Sequence, residues 1–111
     1  MVEYEHAFDL DLIYHSLADS TRRDMLMRTS ERDQTISELA ELYAMSFAAV
    51  AKHVTVLERA QLVQKRKEGR QQIVSINKNA FRFASEYLKR FEQLWRERFD
   101  RLDDLNEISK Y

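Results

Sequence analysis

The stretch Leu39-Ala40-Glu41-Leu42-Tyr43-Ala44-Met45-Ser46-Phe47-Ala48-Ala49-Val50-Ala51-Lys52-His53-Val54-Thr55-Val56-Leu57-Glu58-Arg59-Ala60 decides the fold. Ile36, Leu39, Ala40 and Leu42 recur at helical spacing and predict a helix over 36–43 with this apolar set turned inward. Thr35 or Ser37 is its cap, and Ser37 and Glu38 suit the positive end of the helix dipole. Ala44 to Ser46 makes a tight turn, and Ser46 is the natural N-cap of a helix over 47–60. In that helix Val50, Val54 and Leu57, with Phe47 a further candidate, form the buried stripe. The opposite face shows Ala48, Ala49, Lys52, His53 and Thr55, and its small leading residues allow close approach to a flat partner.

Upstream, Phe8, Leu12, Ile13 and Leu17 predict a short helix over 8–17. Asp19 caps a second over 20–29, with Met25, Leu26 and Met27 as its apolar positions. Ser30 to Gln34 is polar and reads as a loop. Downstream, two segments of strand character, 62–67 and 71–76, flank Glu68-Gly69-Arg70, where Gly69 supplies the positive φ that a turn needs. This is a β-hairpin over 62–76 with a charged tip, marginal alone and leaning on the helices. Ile73 and Val74 adjoin, so its alternation is imperfect. A last helix over 78–105 carries Phe83 or Ala84, Tyr87, Leu88, Phe91, Leu94, Trp95, Phe99, Leu102 and Leu105 in steps of three and four. That stripe exceeds what one small domain buries and marks an association surface.

The chain has 111 residues, enough for one domain, and is 44% hydrophobic and 33% charged, which excludes a disordered tail. No apolar run nears the roughly 20 residues of a membrane span, and the acidic start Met1 to Asp9 does not resemble a signal peptide, so a cytoplasmic location is expected. With no cysteine there are no disulfides and no thiolate metal sites; with one glycine and no proline, regular and mostly helical structure is expected. The net charge of −1 hides an uneven distribution: −5 over 1–19, 0 over 20–60, +5 over 61–82 and −1 over 83–111. Nucleic-acid binding needs a basic face, not a basic protein.

The order α-α-α-α-β-β-α is mainly helical with one small hairpin, and its third and fourth helices form a helix-turn-helix. The second helix of such a pair enters the major groove, about 12 Å wide. The hairpin behind it brings Lys65, Arg66, Lys67 and Arg70 to phosphates. Ser46, Phe47, Ala48, Ala49, Lys52, His53 and Thr55 are the candidate contacts on the helix. His53 is read as a DNA contact, with a packed histidine, a pH switch or a metal ligand as alternatives. His6 and His15 are too isolated to form a site. Lys65 to Lys67 also suit a solvated strand edge, and Arg22 and Arg23 suit pairing with acids such as Asp19 as well as phosphate contact.

Leu17-Ala18-Asp19-Ser20-Thr21-Arg22-Arg23, the helix-turn-helix from Leu39-Ala40 through Met45 to Ala60, and Glu68-Gly69-Arg70 together resemble the ArsR-type transcriptional repressors over about residues 8–105. The resemblance implies a winged helix-turn-helix, dimeric through its first and last helices, that binds a roughly palindromic operator near its own gene as a repressor. The dimer residues would be Phe8, Leu12, Tyr87, Phe91, Leu94, Trp95, Phe99 and Leu102. The aromatic stripe also suits intradomain core or a ligand pocket at the dimer seam.

The chain departs from the family pattern at three places. Ser20 replaces a proline, Ala51 stands where serine is common, and Gln61 stands where glycine ends the recognition helix. That helix must end without a glycine cap, or Gln61 must turn left-handed. The metal-sensing members' cysteines are absent, and Asp100, Asp103, Asp104 and Glu107 form an acid-only set that suits zinc poorly and reads as a solvated face. No cofactor motif, phosphate loop or catalytic constellation is present, so no enzymatic activity is expected. The partners expected are duplex DNA and a second copy, with an unidentified ligand or protein as inducer. The alternative readings are a winged-helix protein-interaction module without DNA binding and a small-molecule-responsive regulator.

Overall fold

The computed structural model describes residues 8–110, with side chains through Asp104; His6 and the side chains of Leu105 and Glu107 lie outside the described residues. Helix α1 (Leu10–Leu17) starts two residues later than the expected 8–17, because the Asp9 carboxylate accepts the N–H groups of Asp11 and Leu12 and caps it. Phe8 precedes the helix, and its ring stacks, tilted, 5.3 Å from Phe83. Helix α2 (Ser20–Glu31) is capped by Asp19 and runs two residues past the expected end at 29.

The expected loop over 30–34 is mostly structured. Ser30 and Glu31 close α2, and Gln34–Thr35 form a short strand, β1. A third strand was missed because two residues are too short for a visible alternation. β1 pairs with β3 (Gln71–Ile76), which pairs in turn with β2 (Val63–Glu68), giving the antiparallel order β1-β3-β2. The third strand also accounts for the adjacent Ile73 and Val74. Val74 is buried with the helices, whereas Ile73, opposite both Thr35 and Arg66, faces the other way and is half-buried.

Thr35 is both the end of β1 and the cap of α3 (Ile36–Tyr43). Its hydroxyl accepts from the Glu38 N–H, and the Glu38 carboxylate accepts from the Thr35 N–H, a reciprocal capping box. Helix α4 (Phe47–Arg59) follows a turn capped by Ser46. Helix α5 (Lys78–Lys110) extends past the expected 105.

The core joins Ile13, Met25, Leu26, Ile36, Leu39, Val50, Val54 and Leu57 with Leu62, Val63, Val74 and the first turns of α5 through Ala80 and Phe83. Leu42, expected inside, is 50% exposed at the end of α3, and Phe47, a candidate both for the buried stripe and for the outward contacts, is 54% exposed at the start of α4. Both sit in terminal turns, where the helices diverge from their neighbours and periodicity no longer fixes burial. Met27, on the outer side of α2, is also exposed.

Helices α3 and α4 end alike. Met45 N–H donates to Ala40 O at 3.3 Å and Leu62 N–H donates to Leu57 O at 3.0 Å, each enclosing one left-handed residue, Ala44 (φ 51°) and Gln61 (φ 62°). The next residue, Met45 or Leu62, packs on the core, which holds the turn in place. An L side chain in this region costs about 1–2 kcal/mol. Ala44→Gly removes that strain and adds backbone entropy to the unfolded chain. We expect a net gain of about 0.5–1 kcal/mol, seen as a higher urea midpoint at unchanged slope; a lower midpoint would place the strain elsewhere.

Candidate nucleic-acid interface

The face that α4 offers to solvent is set by the face that it buries. Val50, Val54 and Leu57 are fully buried, which fixes the rotation of the helix. Ala48, Lys52, Thr55 and Arg59 then recur on the far side at steps of three and four. Ser46, Phe47, Ala48, Lys52 and Arg59 are exposed, while Ala49 and Thr55 are half-buried. Ser46 Oγ accepts from the Ala49 N–H, and Thr55 Oγ1 donates to Ala51 O, so both hydroxyls already serve the helix. Arg59 was missed by sequence reasoning. Extending the 48-52-55 spacing by one step would have found it.

His53 is not on the outward face. It lies half-buried on the flank of α4 towards the α1–α2 turn, with Nδ1 3.9 Å from Asp19 Oδ2. Asp19 has three roles here: it caps α2 through the Arg22 N–H, faces His53, and so ties the entry of α2 to α4. The Arg22 hydrogen bond, opposed by burial and helped by the charges of Arg22 and His53, holds the Asp19 carboxyl below its ordinary value. Among the described residues the guanidinium groups of Arg22 and Arg23 make no ion pair and instead bind backbone carbonyls. Arg22 donates to the carbonyls of Ser16 and His15 and Arg23 to that of Leu17, which closes the C-terminus of α1.

The first helix of the helix-turn-helix is also tied to α2. The Tyr43 hydroxyl of α3 donates to Asp24 of α2, and Arg28 binds the same carboxylate at 2.9 Å while lying over the Tyr43 ring. Burial, together with the bond to Asp24, pushes the Tyr43 phenol up to about 12.

The four cations of the hairpin divide into two pairs. Lys65 points back to Glu58 of α4 at 3.3 Å. Arg66 lies between Asp33 at 3.0 Å and Glu68 at 3.3 Å, and both carboxylates strengthen its hold on its proton. Lys67 and Arg70, on either side of the turn at Gly69 (φ 60°), make no ion pair among the described residues. Lys52 and Arg59 on α4 are likewise without one. Four uncompensated cations therefore lie on the outward face of α4 and at the hairpin tip. No three His, Cys, Asp or Glu side chains converge as a metal site among the described residues. No described helix is long and apolar enough to cross a membrane.

Between its first turns and Asp104, α5 is amphipathic and exposed. Leu88, Phe91, Leu94, Trp95, Phe99 and Leu102 are all exposed, with Phe91, Trp95 and Phe99 in ring contact along the helix. Tyr87 and, on α1, Leu12 are exposed as well. Phe8 differs, since it is half-buried against Phe83 of its own chain.

No family model matches the chain. It is 39% identical over 74 residues to the uncharacterized HTH-type transcriptional regulator YuzN of Bacillus subtilis, covering 60% of this chain and 80% of that protein. Among solved structures, the ArsR family transcriptional regulator RHA00566 superposes with a TM-score of 0.72 at 34% identity, covering 78% of this chain and 90% of the other. The homodimeric winged helix-turn-helix DNA-binding domain Mb0332 from Mycobacterium bovis superposes with a TM-score of 0.62 over 77% of this chain and 81% of that one. At 22% identity this last likeness concerns the fold alone.

Because the fold favours the carboxylate of Asp19, its contribution to stability is complete above the ordinary carboxylate value near 4. It is lost as pH falls through the lowered value. Asp19→Asn keeps an N-cap acceptor without the titration. We expect a shallower fall in melting temperature between about pH 5 and about pH 2 than for the wild type; parallel curves would remove Asp19 from the acid response.

Proposed function

Since the chain belongs to the ArsR family of winged helix-turn-helix transcriptional regulators, we propose that it is a homodimeric repressor whose α4 helices enter successive major grooves of a near-palindromic operator. It is a sequence-specific DNA-binding regulator. Its recognition surface in this reading is the start and outer stripe of α4, namely Ser46, Phe47, Ala48, Ala49, Lys52, Thr55 and Arg59. Lys67 and Arg70 act as phosphate clamps at the wing. The observation that carries the reading is that Lys52, Arg59, Lys67 and Arg70 have no carboxylate partner among the described residues, whereas Lys65 and Arg66 are paired inside the molecule. Lys65 supports the wing from behind, and Arg66 reaches phosphate only by giving up Asp33 or Glu68. His53 acts through Asp19 on the seating of α4 and touches no base.

A second copy covers α5 in this reading. The radius of gyration is 18.9 Å against about 13 Å for a compact chain of this length, because α5 projects beyond the core with its apolar side bare. Leu12, Tyr87, Phe91, Leu94, Trp95, Phe99 and Leu102 form the seam, with Phe8 supporting it through Phe83. The Mycobacterium bovis domain, described as homodimeric, is consistent with this arrangement. A groove of about 500 Å³ between α1, the end of α4 and α5, lined by Phe8, Phe83, Tyr87, Arg59 and Arg90, is the place for an inducing ligand.

Lys67→Ala with Arg70→Ala should weaken binding to all duplexes alike and lower the slope of log K against log salt by about 2, close to 1 for each phosphate contact. An unchanged slope would remove the wing from the interface. Trp95→Asp places a charge in the seam and should give a monomer by light scattering with much weaker operator binding; a variant still dimeric would reject α5 as the dimer helix.

A further inference from the structure

The leading end of α4 is apolar where a base-reading surface is usually polar. The residues at the start of a groove-binding helix reach the base edges first. Here they are Ser46, Phe47, Ala48 and Ala49. Ser46 is engaged as the N-cap. Ala48 and Ala49 end at a methyl group, and Phe47 is 54% exposed. Elsewhere on this face the nearest side chain with a free hydrogen-bonding group is Lys52, more than a turn further along. The first turn thus offers bases an exposed ring and a methyl group, with only the hydroxyl proton of Ser46 to donate.

In the major groove one base presents an apolar group, the 5-methyl of thymine, and Phe and Ala side chains match it by contact rather than by hydrogen bonding. Resting on the reading of α4 as the groove-entering helix, we infer that Phe47, with Ala48 beside it, recognises thymine by its 5-methyl group. The half-site therefore holds one or two thymines whose identity is set by that methyl. Phe47 is a specificity-determining residue, and its exposure in the free protein is what the operator buries. Lys52, further along the same face, supplies the charged contact that Phe47 and Ala48 lack.

Replacing thymine by deoxyuridine removes the methyl and leaves every hydrogen-bonding group of the base pair in place. The test uses the full chain and an operator selected by it from randomised duplexes, with each half-site thymine replaced by deoxyuridine in turn. We expect one or two replacements to weaken wild-type binding by about fourfold each, the effect of unburying one methyl group. Phe47→Ala should bind the thymine operator as weakly as the wild type binds the deoxyuridine one and should be indifferent to the replacement. Operator binding that no replacement affects overturns the inference and leaves the proposed function standing. So does a sensitivity that persists undiminished in Phe47→Ala. If no sequence is enriched over random duplex, the proposed function itself fails, and this inference with it.

Discussion

The burial of Val50, Val54 and Leu57 is the constraint on which the rest of this structure depends. A helix has one rotational freedom about its axis, and three fully buried aliphatic side chains on one stripe remove it. Everything outward on α4 follows from that setting, including the position of Lys52 and Arg59 and the flank position of His53. The same core takes in Leu39 of α3, Ile13 of α1 and Val63 and Val74 of the sheet, so each neighbouring element is positioned against α4. The polar ties add direction rather than bulk stability. Asp24 holds α2 to α3 through Tyr43, and Asp19 links the entry of α2 to His53. Ion pairs as exposed as these contribute little individually.

The fold was legible in the sequence where period and punctuation agreed. Ser46 before an apolar stripe, Gly69 between two strand-like runs and the long aromatic repeat after Asn77 each combine a boundary with a pattern. Gln61 was legible as a choice between two geometries, and the backbone takes the left-handed one. Ala44 was expected in the tight turn before Ser46, but its left-handed conformation was not, because alanine does not signal one and only the hydrogen bonds around it reveal the geometry. β1 was illegible for a different reason. Its two residues show no alternation, and their partners Ile73 and Val74 lie about forty residues away in the chain.

The candidate site was legible as a set of residue types but not as a set of directions. Lys65, Arg66, Lys67 and Arg70 look equivalent in the sequence, yet two are held: Lys65 by Glu58 of α4, and Arg66 by Asp33, from before β1, and by its strand neighbour Glu68. His53 reads as outward by motif and lies on the flank by geometry. The small residues that open α4 were legible as room for close approach. The direction of Phe47 was open between the buried stripe and the outward contacts, since an aromatic at the first turn of a helix suits either side, and the structure exposes it.

β1 limits how the wing can move. Thr35 is at once a residue of the sheet and the cap of α3, so no hinge separates wing from helix-turn-helix on that side. On the other side Lys65 joins the wing to Glu58 of α4. Wing and helix-turn-helix are therefore joined on both sides into one head. In the proposed dimer the gap and the angle between two such heads remain free to vary while the shape of each is fixed. Both are set there by the arm on which each head is mounted, α5.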